Sequence, residues 1–174
     1  MTCKTKNNFP FFREDIFCEL WIEELRFCKE LKGFQLFGFC LLPDHFHMVF
    51  RPRADENLSR VMQFLKRHFS RNANWLGGHL PESDIRECRF RSSEFRNLET
   101  AVAMHDRKLQ NLKRRIKNKL PRFQWQKSFH DHLIRSDQDF ENHLYYTAEN
   151  FLKHGLSESW RYTSLNYPKL VDAI

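Results

Sequence analysis

The stretch LLPDHFHMVF, residues 41–50, joins two short apolar runs through a Pro-Asp pair. The run before the pair, within residues 33–42, is rich in phenylalanine and leucine, and the run after it ends at Arg51. Both are short for helices, and Pro-Asp is typical of tight turns, so the pattern predicts a β-hairpin. Because side chains alternate along a strand, His45 and His47 are predicted to share one face of the second strand.

Helical periodicity flanks this hairpin on both sides. Residues 14–31 carry apolar side chains at helical spacing and are followed by Gly33 as a stop signal. Residues 57–76 are predicted to form an amphipathic helix with a basic outer face, capped by Asn57 or Ser59. Only MTCKTKN precedes the first helix, so we expect a short first strand.

The second half of the chain is predicted to be mainly helical. A basic helix is expected from about residue 98 to residue 120, ended by Pro121. The residues before it, 77–94, contain Gly-Gly and proline without a clear period and are predicted to be loop. A final helix is expected to begin at Asp137 or Asp139 and to end at Gly155. Together these elements indicate an α+β domain that spans residues 1–174.

Composition restricts the class of protein. The chain has 29 Lys and Arg against 22 Asp and Glu, a formal charge of +7, which favours a polyanionic partner. No apolar run approaches the roughly 20 residues of a membrane span, and the first residues lack the apolar segment of a secretion signal, so we expect a cytoplasmic protein with no membrane partner. The five cysteines have no Cys-x-x-Cys spacing and are predicted to be reduced core residues: Cys3, Cys18, Cys28, Cys40 and Cys88.

Two groups of residues have a spacing suited to chemistry. His45 and His47, on one face of a strand, could converge on a divalent metal, or they could be two polar residues on the solvent side of a sheet. On the last helix, Tyr146 and Asn150 are four residues apart and therefore share a face, which His143 and His154 extend. A phenol beside a metal is a suitable nucleophile toward a phosphodiester, and a carboxamide offers an oxygen ligand. The alternative is a solvated helix surface. The residues predicted to pack inward are Leu144, Tyr145 and Leu152.

The chain resembles the REP-associated tyrosine transposases, which are single-tyrosine HUH-type enzymes of small insertion sequences and their domesticated relatives. The resemblance rests on four blocks in the family's order, and it covers roughly residues 32–76 and 121–168. These blocks are LLPDHFHMVF, NLSRVMQFLKRHFSRNAN, WQKSFHDHLIRSDQDFENHLYYTAENFLKHGL and WRYTSLNYP. The resemblance implies a ferredoxin-like antiparallel sheet with helices on one face. It also implies that the helix carrying the tyrosine packs next to the metal.

The resemblance also implies roles for individual residues. His45, His47 and Asn150 would bind Mg²⁺ or Mn²⁺, and Tyr146 would attack single-stranded DNA beside a hairpin to give a 5′-phosphotyrosine. The enzyme would be a monomer or a homodimer. Phosphate contacts are expected from cationic residues on these blocks or close to them. These are Arg51, Arg53, Lys66, Arg67, Arg71 and Arg135.

Three features depart from the family's pattern, and the first is the short first strand. Phe151 follows Asn150 where relatives commonly have proline, and residues 77–120 form a basic, helical insertion that short members lack. The cationic helix could contact DNA or could present a solvated face. Two other functions stay open from the sequence. One is a catalytically silent module that binds a DNA hairpin, and the other is a structured-RNA binder in which the histidine pair is incidental.

Overall fold

The predicted hairpin forms the centre of a three-stranded antiparallel sheet. The computed structural model describes residues 1–81 and 99–173, and in that part of the chain the strand order is β1-β3-β2. The strands are β1 (Thr2–Lys4), β2 (Gln35–Leu42) and β3 (His45–Arg51). Strand β1 is as short as expected, and it places Thr2 opposite His47. A bulge between Leu36 and Gly38 interrupts the register of β2 and β3.

Four α-helices surround the sheet in the described part of the chain. They are α1 (Asp15–Lys32), α2 (Leu58–Leu76), α3 (Glu99–Arg115) and α4 (Asp137–Lys153). Short 3-10 helices span Lys6–Asn8, Phe11–Arg13 and Ser164–Asn166. Gly33 closes α1 with a φ of +62°, and the Asn57 side chain accepts a hydrogen bond from the Arg60 amide at the start of α2, both as predicted. Helix α3 ends five residues earlier than expected.

The two faces of the sheet carry different layers. Phe46 and Met48 of β3 point into the main core, where they are buried together with Trp21 of α1 and Phe69 of α2. Helix α4 packs on the opposite face, against β2 and β3. The α+β class with an antiparallel sheet is thereby confirmed, and the face that carries His45 and His47 is the face covered by the tyrosine helix.

A segment of irregular backbone completes the sheet beside β1. Thr2 and His130 exchange two backbone hydrogen bonds of 2.7 and 2.9 Å, and the Gln126 amide donates to the Lys4 carbonyl at 2.9 Å. The segment runs antiparallel to β1, at the position of the fourth strand in a ferredoxin-like sheet. It therefore covers the edge that a short β1 would otherwise leave open.

Helix α3 is part of the core packing. Leu109 and Leu112 are buried, and the Lys113 ammonium donates to the carbonyls of Trp75 and Leu76 at 2.7 and 2.8 Å. Those are the last carbonyls of α2, which lack partners within their own helix. At least part of the positive charge on α3 is therefore structural. Of the predicted loop at residues 77–94, residues 82–94 lie outside the described residues.

One prediction about α4 was wrong. Tyr145 and Leu152, expected to pack inward, are 65% and 44% exposed, whereas Leu144 is partly buried and lies close to Gly38. The helix therefore contacts the sheet with a narrower face than expected. Four of the cysteines are buried and free as predicted, and Cys88 lies outside the described residues. Among the described helices, none is long and apolar enough to cross a membrane.

Candidate active site

The two histidines of β3 lie side by side under α4. Their ring centroids are 5.0 Å apart. Nδ1 of His45 is 2.6 Å from a carboxylate oxygen of Asp44, and Nδ1 of His47 is 2.8 Å from the Thr2 hydroxyl. Since these contacts use Nδ1, each ring can offer Nε2 to a metal. Contacts of this kind fix the orientation of an imidazole ligand.

Both imidazoles are held in the neutral form. Burial lowers the pKa of His47 to about 3, and the neighbouring charge of His45 adds to this effect. Burial also lowers the pKa of His45, although the hydrogen bond that Nδ1 donates to Asp44 opposes this effect. A histidine must be neutral to bind a metal, so at pH 7 both rings are ready to do so.

Asn150 belongs to α4, the helix that packs against β2 and β3. The residue is fully buried in α4, and neither Nδ2 nor Oδ1 of its side chain has a hydrogen-bond partner among the described residues. A buried amide without partners costs free energy. Two neutral imidazoles and a buried amide oxygen without a partner fit a divalent cation such as Mn²⁺ or Mg²⁺.

Tyr146 lies one turn before Asn150, at the rim of this site. Its ring centroid is 5.6 Å from that of His47 in an edge-on arrangement, and the residue is 39% exposed. The Lys153 ammonium lies 4.2 Å from the centroid of the Tyr146 ring. The phenol is therefore close to a cation and open to a large substrate such as DNA.

The predicted polar stripe on α4 divides between two places. Tyr146 and His154 contact the histidine strand, with the His154 ring 5.0 Å from the His45 ring, and Asn150 between them is buried. His143 instead contacts Asp139 in the first turn of α4. The sequence reasoning missed three neighbours of the site. Asp44 directly precedes His45 and could have been found by that position, whereas Thr2 and Lys153 carry no such signal.

The six expected DNA contacts do not line a single hollow. Arg51 and Arg135 line one hollow, whose volume is about 340 Å³. Lys66 and Arg67 line another on α2, and the Lys66 ammonium also donates to the Gln126 carbonyl at 2.9 Å. Two residues lie outside both hollows. They are Arg53, which pairs with Asp55, and Arg71, one turn beyond Arg67 on α2.

Comparison with known proteins places this sequence in a family. The sequence model of the family described as "Transposase IS200 like" matches residues 2–95. A REP-associated tyrosine transposase of Haemophilus influenzae is 30% identical over 138 residues, which are 76% of this chain and 60% of that protein. This chain thus matches about three fifths of its relative's length.

A solved structure has the same fold. It shows a REP-associated tyrosine transposase bound to a REP hairpin, and it aligns with a TM-score of 0.60 over 95% of this chain and 74% of that one. The two sequences are 17% identical, so the likeness concerns the fold.

Proposed function

Because the chain belongs to the family of IS200-like transposases, we propose that it cuts and rejoins single-stranded DNA beside a hairpin through a covalent bond to Tyr146. The observation that carries the proposal is the position of Tyr146 over His47, with the unpartnered amide of Asn150 one turn further along the same helix. The hairpin substrate is proposed from the REP hairpin bound by the structural relative. In the cell the reaction would take place in the cytoplasm.

In the first step, the Tyr146 oxygen attacks the phosphorus in line with the leaving 3′ oxygen. The new bond is a 5′-phosphotyrosine, the broken bond is P–O3′, and the leaving oxygen takes up a proton as the phenol loses one. Because one phosphodiester replaces another, a second 3′-OH can reverse the step and join new ends without ATP. Hydrolysis would not conserve that bond.

His45, His47 and Asn150 are the residues that would hold a divalent ion. Bound there, Mg²⁺ or Mn²⁺ would neutralise charge on the scissile phosphate. Asp44 and Thr2 orient the two imidazoles through Nδ1. The Lys153 ammonium lies 4.2 Å from the centroid of the Tyr146 ring, where it would attract a phosphate bound beside the phenol.

The two hollows would hold the DNA. Arg51 lies over the Phe37 ring at 5.5 Å, and Arg135 lines the same hollow. On α2, Lys66 and Arg67 lie beside Trp125 in the second hollow. Cations interleaved with aromatic rings suit a single strand, since phosphates and unstacked bases are contacted together.

A covalent-adduct assay on denaturing gels tests the proposal. Labelled single-stranded oligonucleotides tiled from the DNA that flanks the gene are incubated with Mn²⁺ and the full chain. Wild type is compared with Tyr146→Phe and His45→Ala, and Tyr145→Phe serves as the matched control because it removes an exposed phenol from the same helix. We expect an adduct with wild type and the control only. Metal-independent binding of one hairpin without any adduct would instead indicate the silent binding module.

A further inference from the structure

A second group of metal-ligating side chains lies at the start of α4, outside the site described above. His132 Nε2 lies 3.0 and 3.2 Å from the two carboxylate oxygens of Asp139, and His143 Nε2 lies 3.3 Å from one of them. The two imidazole rings are 4.5 Å apart. One ligand atom from each residue lies within 4.8 Å of the other two.

The carboxylate at the centre of this cluster is fixed by its own backbone surroundings. The Arg135 amide donates to an Asp139 carboxylate oxygen at 3.1 Å, and the Asp139 amide donates to the hydroxyl of Ser136, the N-cap of α4. Asp139 and His143 are four residues apart, so both side chains project from one face of the helix. His132 reaches the same point from the segment before the helix. The three groups therefore meet without help from a distant part of the chain.

From this geometry we propose that His132, Asp139 and His143 form a second metal site, which binds a divalent transition-metal ion such as Zn²⁺. Zn²⁺ is bound in proteins by sets of two imidazoles and one carboxylate. Imidazole nitrogen binds Zn²⁺ in preference to Mg²⁺. Ligand atoms about 2.0 to 2.2 Å from a common ion are separated by roughly 3 to 3.5 Å in tetrahedral or octahedral geometry. The separations of each histidine from Asp139 lie in that range.

An ion at this site would have coordination positions open to water, and it would link two segments of the chain. His132 is exposed and Asp139 and His143 are partly exposed, so water can fill the remaining coordination positions. An ion there joins the segment before α4 to the first two turns of the helix. His143 is three residues before Tyr146, so this link would fasten the N-terminal half of the helix that carries the proposed nucleophile.

Zn²⁺ stoichiometry of the full chain tests the proposal. Equilibrium dialysis against buffered Zn²⁺, followed by metal analysis, compares wild type with Asp139→Asn and with His130→Ala. His130 is an exposed histidine two residues from His132 and outside the cluster, so it is the matched control. We expect Asp139→Asn to bind one Zn²⁺ fewer per chain than wild type and the control to bind as much. Because the result is a difference, it does not depend on whether the site at His45 and His47 binds Zn²⁺.

A second variant controls for an effect of Asp139→Asn on the N-cap of α4. His132→Gln alters an exposed side chain that precedes α4, and it should lose the same single Zn²⁺. Zn²⁺ should also raise the melting temperature of wild type more than that of either variant. Equal Zn²⁺ binding by wild type and both variants would overturn the proposal, as would an equal loss in His130→Ala.

Discussion

The hydroxyl of Thr2 lies 2.8 Å from Nδ1 of His47, across the pairing of β1 with β3. This contact gives a function to a strand of only three residues. It fixes the orientation of the imidazole ring and leaves Nε2 available to the proposed metal position. Asp44 does the same for His45 at 2.6 Å.

Replacing Thr2 by valine should weaken Mn²⁺ binding about ten- to a hundredfold, the usual effect of removing a group that orients a metal ligand. Valine keeps the shape of threonine and its strand preference, so the melting temperature of the metal-free protein should change little. Isothermal titration with Mn²⁺ measures the affinity. Thr2→Ser keeps the hydroxyl and should retain wild-type affinity, and if it is as weak as Thr2→Val, the hydroxyl is not the cause.

Replacing Asn150 by leucine should have opposite effects on stability and on metal binding. The buried amide has no partner for Nδ2 or Oδ1 among the described residues, and such a group costs about 1 to 3 kcal/mol. Leucine has a similar size and no polar atoms, so the metal-free protein should unfold at a higher urea concentration. The stabilisation that Mn²⁺ gives to wild type should be lost. A metal-free variant less stable than wild type would show that the amide has partners in solution.

Lys153 should act on the phenol and not on the metal. Its ammonium lies 4.2 Å from the centre of the Tyr146 ring, and Lys153 is not one of the proposed metal ligands. Lys153→Met should therefore slow adduct formation about tenfold, roughly 1.4 kcal/mol of activation free energy, with Mn²⁺ affinity unchanged. Lys153→Arg keeps the charge and should recover most of the rate. A loss of Mn²⁺ affinity in Lys153→Met would contradict this role.

Local sequence signals predicted most of the fold and part of the site. The Pro-Asp turn and the alternation of β3 placed His45 and His47 on one face, and helical spacing placed Tyr146 above Asn150, because both patterns are fixed by short-range geometry. The edge segment at residues 124–130 was not predicted as part of the sheet. It has few strand signals of its own and is held there by backbone hydrogen bonds to β1, which depend on the folded chain.

Tyr145 shows the limit of periodicity. A side chain a quarter turn away from the contact face of a helix can be assigned to the core or to solvent only when the width of that contact is known. The contact of α4 with the sheet is set by Leu144 against Gly38. The Thr2 hydroxyl at His47 joins residues 45 positions apart, so no local pattern indicates it. The buried contact between Glu24 and His105 likewise joins residues 81 positions apart.

Glu24 of α1 should make stability depend on pH in acid. The carboxylate is fully buried, lies 3.1 Å from His105 Nε2 of α3, and accepts a hydrogen bond from Asn72 of α2. Burial alone would raise its pKa, but the charge and hydrogen bond of His105 lower the pKa overall. A carboxylate whose pKa is lower in the folded state than in the unfolded state stabilises the fold at a pH above its unfolded-state pKa, about 4.3. This stabilisation is lost as the pH falls through the folded-state pKa.

Glu24→Gln should therefore be less stable than wild type at pH 7 by about 1 to 3 kcal/mol, and the difference should shrink as the pH is lowered toward 3. Urea unfolding at several pH values measures both. Glu23→Gln is the matched control, since Glu23 is the adjacent residue and pairs with Arg26 and Lys108 closer to the surface. It should change stability by less than about 1 kcal/mol. A difference for Glu24→Gln that is the same at pH 7 and pH 3 would contradict the assigned pKa direction.

The proposed ligand set should favour manganese over magnesium. Two imidazoles bind Mn²⁺ better than the harder Mg²⁺, whereas an amide oxygen discriminates less. At saturating concentrations of each metal, adduct formation should be faster in Mn²⁺, and Mn²⁺ should saturate at a lower concentration. Asn150→Asp replaces the amide oxygen by a hard carboxylate and should reduce this preference while keeping activity in Mg²⁺. Equal or lower rates in Mn²⁺ at matched saturation would count against His45 and His47 as the ligands, because a site without imidazoles has no reason to prefer manganese.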